Sequence, residues 1–308
     1  MNYVLTKGKF KSSSGMSDIS YCKFVPQDKE VKAVLQIAHG MAEHKERYEG
    51  FASFLCSLGV AVYINDHIGH GESVSSKDEK GYFGKDGYQT LVEDCHLLTE
   101  IVKDDYPAIP FFVFGHSMGS FIIRNYLAKY GEFVDGAIIC GTGGKNPGAG
   151  VGIALAKLIS NCKGGDHYRS KFIDNLAFGT YGNKFEHRTA FDWLTKDHDV
   201  VDKYIADEDC GFLFTCNGFS GLFSALKNAN SKECFEKTPN IPILLISGED
   251  DPVGNYGKGV LQVYDNLIKS GHNVDCRIYP NARHEILNES DTVEKVYGDV
   301  KEFIEKQL

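Results

Sequence analysis

Six short apolar runs rich in β-branched and aromatic residues recur along the chain: VLQIAH at 34–39, VAVYIND at 60–66, FFVFG at 111–115, GAIIC at 136–140, IPILLIS at 241–247 and VDCRIYP at 274–280. Near-continuous apolar runs of this length read as buried strands, and helix-length segments separate most of them. Such alternation builds βαβ units, so the expected class is α/β: a mostly parallel sheet with helices on both faces. The first 26 residues are expected to add an antiparallel hairpin at one edge.

The alternation fails between about Lys145 and Thr238. VGIALAKLISN, TAFDWLTKDHDVVDKYIA and GLFSALKNAN read as helices with no buried strand between them. Residues 145–238 are therefore expected to form a helical cap inserted into a core domain made of residues 1–144 and 239–308. GTGGKNPGAGVG at 141–152 suits a hinge into that cap.

With 308 residues, 42% of them hydrophobic, the chain can bury a large core. Its net charge of -9 argues against nucleic acid or an anionic membrane as electrostatic partner. The N-terminal stretch MNYVLTKGKFKSSSGMSDISYCKF has no basic segment followed by an apolar one, and no run of 18 apolar residues occurs. The expectation is a cytoplasmic protein without stable membrane insertion. Nine cysteines lie singly, none in CxxC spacing, which excludes a complete disulfide framework and a zinc knuckle and suits a reducing compartment.

The chemistry centres on FFVFGHSMGSFIIRNYLAKYG at 111–131. Gly115-His116-Ser117-Met118-Gly119 fits GxSxG between an apolar run and an apolar-periodic helix, where a sharp turn leaves no room for side chains flanking the serine. The motif alone is weak, and its context gives it weight. A serine nucleophile needs a base, an orienting acid and an anion site. His39-Gly40-Met41 follows an earlier strand, so the amides of Met41 and Met118 are the candidate oxyanion donors. Asp251, just before Pro252 at the end of a later strand, is the candidate acid in preference to its neighbours Glu249 and Asp250. His284, after the last strand, is the candidate base. His39 and His116 are read as structural. His67 and His70 in DHIGHGES invite a metal reading, but no third ligand of suitable spacing accompanies them, so no metal is expected; the loop is expected to pack beside the nucleophile turn.

HGMAEHKERYEGFA, DHIGHGES, GHSMGS, ISGEDDPVG and HEILNE together resemble, in this order, the motifs of the monoacylglycerol lipase and lysophospholipase branch of the α/β-hydrolases, the serine aminopeptidase S33-like group. The resemblance runs from about residue 8 to 306, and FDWLTKDHDVVDKYIADEDCGFLFTCNGFSGL looks like the cap of bacterial members. It implies an eight-stranded α/β-hydrolase sheet, no cofactor, a Ser117, Asp251 and His284 triad, and Met41 and Met118 as oxyanion amides. One departure stands out: HGMAEH has Ala42 where the family often has a second glycine. Alanine there is expected to lose easy access to positive φ and to place a methyl near the mouth of the site.

The expected substrate is a small-molecule ester with an aliphatic acyl chain: a monoacylglycerol, a lysophospholipid or a shorter ester. Phe191, Phe212, Phe214, Phe219 and Phe223 are candidates to line an acyl tunnel, or else to form the cap's own core. Two other readings stay open. An aminopeptidase would need a cap carboxylate, such as Glu208 or Asp209, for the substrate ammonium. A ligand receptor of the same fold would bind without turnover.

Overall fold

The computed structural model describes residues 2–308. Strands β1 (Tyr3–Lys11) and β2 (Asp18–Pro26) form the expected antiparallel hairpin at one edge. They are followed by β3 (Ala33–Ala38), α1 (Glu49–Ser57), β4 (Val60–Asn65), α2 (Tyr88–Asp105), β5 (Phe111–His116), α3 (Met118–Tyr130) and β6 (Gly136–Cys140). Five helices come next: α4 (Gly148–Lys163), α5 (Lys171–Phe178), α6 (His198–Ala206), α7 (Cys216–Ala229) and α8 (Lys232–Lys237). The chain closes with β7 (Ile243–Gly248), α9 (Lys258–Lys269), β8 (Val274–Tyr279) and α10 (Val293–Glu305). All six strands read from apolar runs are present, in one eight-stranded sheet of order β1-β2-β4-β3-β5-β6-β7-β8. The sheet is parallel from β4 to β8, and β2 joins it antiparallel to β4.

Strands β3 to β7 are apolar on both faces because both faces are covered. Leu35, Val62, Phe112, Ile138 and Leu244 pack with α1 and α10, while Val34, Ala61, Val113, Ala137 and Leu245 pack on the other side with α2, α3 and α9. This is the period-two alternation of a strand, with an apolar residue at each step.

Between β6 and β7 the described chain is helical apart from turns and one isolated bridge, Arg169 to Thr215. The sequence reads a helix across residues 189–206, but only α6 forms there. Residues 189–197 turn instead, because Thr189 donates from both its amide and its hydroxyl to the Asp192 carboxylate (2.9 and 2.6 Å), and Asp197 caps α6 by accepting from the amides of Asp199 and Val200. The glycine-rich 141–152 stretch divides too: Gly141 sits at φ 58°, whereas α4 already begins at Gly148.

The helical segment is rooted in the sheet's own core. Phe214, Phe219, Leu222 and Ala225 belong to the cluster that includes Leu91, Ile122 and Val113. Arg124 on α3 holds both ends of the segment: Nη1 donates to Gly143 O (3.2 Å) near its start, and Nη2 donates to Ala229 O and to Asn230 Oδ1 (3.1 Å) near its end. Burial with no carboxylate partner lowers the Arg124 pKa to about 10. Phe219→Ala is expected to reduce the unfolding free energy by about 3–5 kcal/mol. Urea unfolding followed by circular dichroism should still show a single transition; a separate early loss of helix would contradict the shared core.

Candidate active site

The sheet brings the candidate residues to one end. Loops at the carboxyl ends of parallel strands line the crevice where ligands of open α/β sheets bind. Gly40 and Met41 follow β3, Ser117 follows β5, Gly141 follows β6, Asp251 follows β7 and His284 follows β8. These strands are neighbours in the order β3-β5-β6-β7-β8, so residues far apart in sequence converge.

Ser117 occupies φ 53°, ψ -118°, a conformation that a non-glycine residue holds at a cost of about 1–3 kcal/mol. Its amide donates to Cys140 O (3.0 Å), and its carbonyl accepts from Ser120 N (2.9 Å) and Ser120 Oγ (2.5 Å). The flanking glycines are needed for space. A methyl at Gly119 would run into the Ala38 carbonyl, and one at Gly115 into the backbone of Gly119. A methyl at Gly40 would sit 2.6 Å from Glu43 Oε1 and 3.2 Å from Ser117 Cβ, which measures how closely the β3 loop approaches the serine. Met118 is the first residue of α3, so its amide has no acceptor within its own helix. Met41 and Met118 both line the same cavity as Ser117 and His284.

Asp251 is fully buried and His284 nearly so, and Asp251 Oδ1 lies 2.9 Å from His284 Nδ1. The ring N–H does not point along that line, which leaves Nδ1 in close contact but without a well-directed hydrogen bond. The carboxylate is held independently by Val253 N (2.8 Å to Oδ1) and Ser247 Oγ (3.3 Å to Oδ2). Glu249 is exposed and Asp250 half-buried, so of the three acidic neighbours Asp251 meets the imidazole.

Sequence reading missed an ionic cluster beneath these loops. Arg47 Nη1 lies 2.5 Å from Glu43 Oε2, and Arg47 donates two further bonds of 2.8 Å to the two carboxylate oxygens of Glu285. Glu43 Oε1 also accepts from Gly40 N (2.6 Å) and Tyr48 Oη (2.9 Å) and lies 3.4 Å from His116 Nδ1. His116 Nε2 in turn lies 3.3 Å from the His284 carbonyl. Burial would lift both carboxyls, but Arg47 outweighs it and keeps Glu43 well below the usual range and Glu285 below it. The signal was the Glu43 to Arg47 spacing of four residues in HGMAEHKER, which reads equally well as an ordinary surface helix pair.

The loop of His67 and His70 packs on the β3 loop, which itself approaches Ser117 closely. His39 joins His67 and His70, with ring centroids 4.1 and 5.2 Å away, and is the third histidine that spacing alone did not supply. Both nitrogens of His39 are committed, Nδ1 to Gly40 O (2.8 Å) and Nε2 to His67 N (3.0 Å). His70 is committed likewise, to Ile68 O (3.2 Å) and Ala42 N (3.3 Å). Burial holds all three rings neutral, His67 down to about 4, His70 to about 3 and His39 well below its ordinary value.

Ala42 overturns one expectation, since it takes up positive φ (50°) instead of avoiding it. The conformation costs a non-glycine residue about 1–2 kcal/mol. Its carbonyl accepts from Gly211 N (2.9 Å) and Tyr204 Oη (2.9 Å), and these bonds to the helical segment offset the strain.

Over Ser117 opens a cavity of about 1120 Å³. The structure divides the five phenylalanines. Phe191, Phe212 and Phe223 line the cavity, while Phe214 and Phe219 are fully buried and pack with Phe83 and Phe178 in the core. Both expected alternatives are thus represented, and Phe214 and Phe219 pack into the core shared with the sheet layer, a distinction composition cannot make. Glu208 and Asp209 lie off the cavity, engaged by Lys77 (2.7 Å) and Lys80 (2.8 Å).

The fold and the serine turn define an α/β-hydrolase. The model of the serine aminopeptidase S33 family matches residues 29–291, and the chain belongs to that family. Among its relatives are the monoglyceride lipase homolog of Monkeypox virus, 28% identical with 91% of each chain covered, and the monoacylglycerol lipase of Mycolicibacterium smegmatis, also 28% identical with 91% of each covered. Among solved structures, a thermostable carboxyl esterase from Bacillus coagulans in complex with glycerol superposes with a TM-score of 0.92 at 32% identity, covering 98% of each chain.

The neutral histidines make stability sensitive to acid. In the unfolded chain they gain protons near pH 6.5, whereas in the folded protein they resist protonation down to about 4 or below, so their contribution is complete above 6.5 and is lost as pH falls through this window, at up to ~1.4 kcal/mol per pH unit for each ring. Urea unfolding at pH 7.5 and pH 5 should show the loss, and His67→Asn with His70→Asn should flatten the slope; an unchanged slope would show that these rings do not carry it.

Proposed function

We propose that the carboxylic ester hydrolysis to which fold and family assign this chain runs through a Ser117 acyl-enzyme, and that the ester carries an aliphatic acyl chain, as in a monoacylglycerol or a lysophospholipid. The observation that carries this reading is the cavity over Ser117, slightly larger than the ~300–1,000 Å³ usual for small-molecule sites and walled by Phe191, Phe212, Phe223, Trp193 and Leu213. Helices α4 to α8 serve as its cap. Residues Val151 and Leu176 on the outer helices border the cavity while 65% and 62% exposed, and Phe172, 62% exposed, stands nearby in sequence on α5. An apolar rim of this kind suits an amphiphile that enters acyl chain first. The carboxylates named for an aminopeptidase are off the cavity and held by lysines, which weighs against that alternative.

In the mechanism, His284 takes the Ser117 proton as the oxygen attacks the ester carbonyl, with Asp251 holding the ring in the tautomer that makes this possible. The amides of Met41 and Met118 meet the oxyanion, a contribution of about 3 kcal/mol per donor. His284 then protonates the leaving alcohol, and water repeats the sequence on the acyl-enzyme. Arg47, by fixing Glu43 and Glu285, keeps the oxyanion loop and the His284 loop in register. The relatives support this reading: two are monoacylglycerol lipases or homologues of one by name, and the esterase structure holds glycerol. Nine unpaired cysteines, seven of them buried, fit a reducing, cytoplasmic setting. No helix among the described residues is long and apolar enough to cross a membrane.

Initial rates on p-nitrophenyl esters of increasing chain length, 1-monoacylglycerols, a lysophospholipid and an aminoacyl amide should show an optimum at medium or long acyl chains. Ser117→Ala should lose at least ~10³-fold in kcat with the fold intact. Near wild-type turnover in that variant would reject the nucleophile, a preference for the aminoacyl amide would reverse the substrate class, and no turnover on any substrate would favour a receptor. Leu176→Glu should lower kcat/KM for long-chain esters several-fold and leave the acetate unchanged; equal losses on both would remove the rim from substrate capture.

A further inference from the structure

Where the loop after β3 meets the turn after α6, three different donor atoms converge outside the proposed catalytic machinery. His44 Nε2 lies 3.0 Å from Asp207 Oδ2, and Cys210 Sγ completes a group whose three donor atoms all fall within 4.8 Å of one another. A separate observation orients the ring. His44 Nδ1 lies 2.8 Å from Glu46 Oε2, so a carboxylate behind the imidazole fixes the proton on Nδ1 and turns Nε2 towards the other two donors. Ligating histidines in metal sites are held by a partner of this kind. The acid and the thiol are set by one short turn: Asp209 N donates to Asp207 Oδ1 (2.8 Å), leaving Oδ2 for the site, and Cys210 N donates to Asp207 O (3.1 Å).

We propose that His44, Asp207 and Cys210 form a binding site for one divalent metal ion of the zinc class, with solvent water as fourth ligand. The donor set is imidazole, carboxylate and thiol, which suits zinc or cobalt and not magnesium or calcium. Ligand distances of ~2.0–2.3 Å in tetrahedral geometry need donors ~3.3–3.7 Å apart, which small side-chain adjustments of this group reach. The Asp207 side chain is 37% exposed, which gives the ion a path from solvent and room for the water. On binding, the metal accepts lone pairs from Nε2, one Asp207 oxygen and the Cys210 sulfur. The thiol proton leaves to solvent, together with any proton held between Nε2 and Asp207.

The position gives the site a consequence for the cavity. His44 is two residues after Ala42, Cys210 is one before Gly211, and Gly211 N already donates to Ala42 O. A metal here would bolt the proposed oxyanion loop to the cap segment Gly211–Leu213, which lines the cavity. Positions 44, 207 and 210 are too far apart in sequence for a spacing motif to expose them.

The test is titration of chelator-treated protein with cobalt(II), reading the thiolate-to-cobalt charge-transfer absorption, followed by displacement with zinc. The expected result is saturation at one equivalent. Cys210→Ser should abolish the band and weaken binding at least tenfold, Asp207→Asn should weaken binding at least tenfold with the band retained, and Cys162→Ser, which removes an exposed cysteine elsewhere, should change neither. Absence of the band, its survival in Cys210→Ser, or equal affinity in wild type and Asp207→Asn would overturn the proposal. Thermal unfolding of each metal-free variant checks the fold, and if Cys210→Ser does not fold, the Asp207→Asn titration decides.

Discussion

One guanidinium organises the end of the sheet where the candidate residues meet. Arg47 sits between Glu43, on the loop after β3, and Glu285, directly after His284. Two buried carboxylates so placed would repel each other and pay for their lost hydration, and the bidentate geometry of arginine is what makes the arrangement tenable. Glu43 passes the restraint to Gly40, Tyr48 and His116, and His116 reaches the His284 carbonyl. The loops after β3 and β8 and the end of β5 are thus held through one ion cluster. Breaking such a cluster by removing one member leaves an uncompensated charge, typically a loss of about 3–5 kcal/mol.

The second restraint comes from the helical segment. Its residues 192–195 grip the His284 loop after β8: Arg283 Nη1 donates to Asp192 O and Thr195 O, and Glu285 N donates to Leu194 O (2.7 Å). Trp193 faces the His284 ring at 5.2 Å between centroids. On the opposite side, Tyr204 and Gly211 hold Ala42. The segment over the cavity therefore also positions the loops beneath it, and covering and aligning the site are coupled physically.

The sheet was legible in the sequence because its central parallel strands, β3 to β7, are apolar at nearly every position, a pattern helices and loops do not share. The serine turn was legible because steric demands at Gly115 and Gly119 leave few alternatives. Less was visible where one residue type serves two purposes. Phe214 and Phe223 look alike in sequence, yet one fills the core and the other walls the cavity, since Phe214 lies in the loop before α7 and Phe223 on α7 itself, and only the tertiary packing distinguishes them. The turn at 189–197 hid behind helical spacing because side-chain bonds from Thr189 and Asp192 outweigh periodicity. Glu43, Arg47 and Glu285 were missed for a third reason: charged residues are ordinarily solvated, and only the tertiary arrangement reveals that these are buried.

The inserted helices are not equally bound to the rest. Seven residues of α7 are buried, whereas α5 buries only Ile173 and turns Phe172 and Leu176 outward. Opening free energy scales with the contacts an element must give up, so backbone amides of α5 belong to a low-lying local unfolding unit and those of α7 to the global one. The stretch of α5 that lines the cavity is thus its least cooperative part, the wall with the fewest contacts to give up when it opens locally.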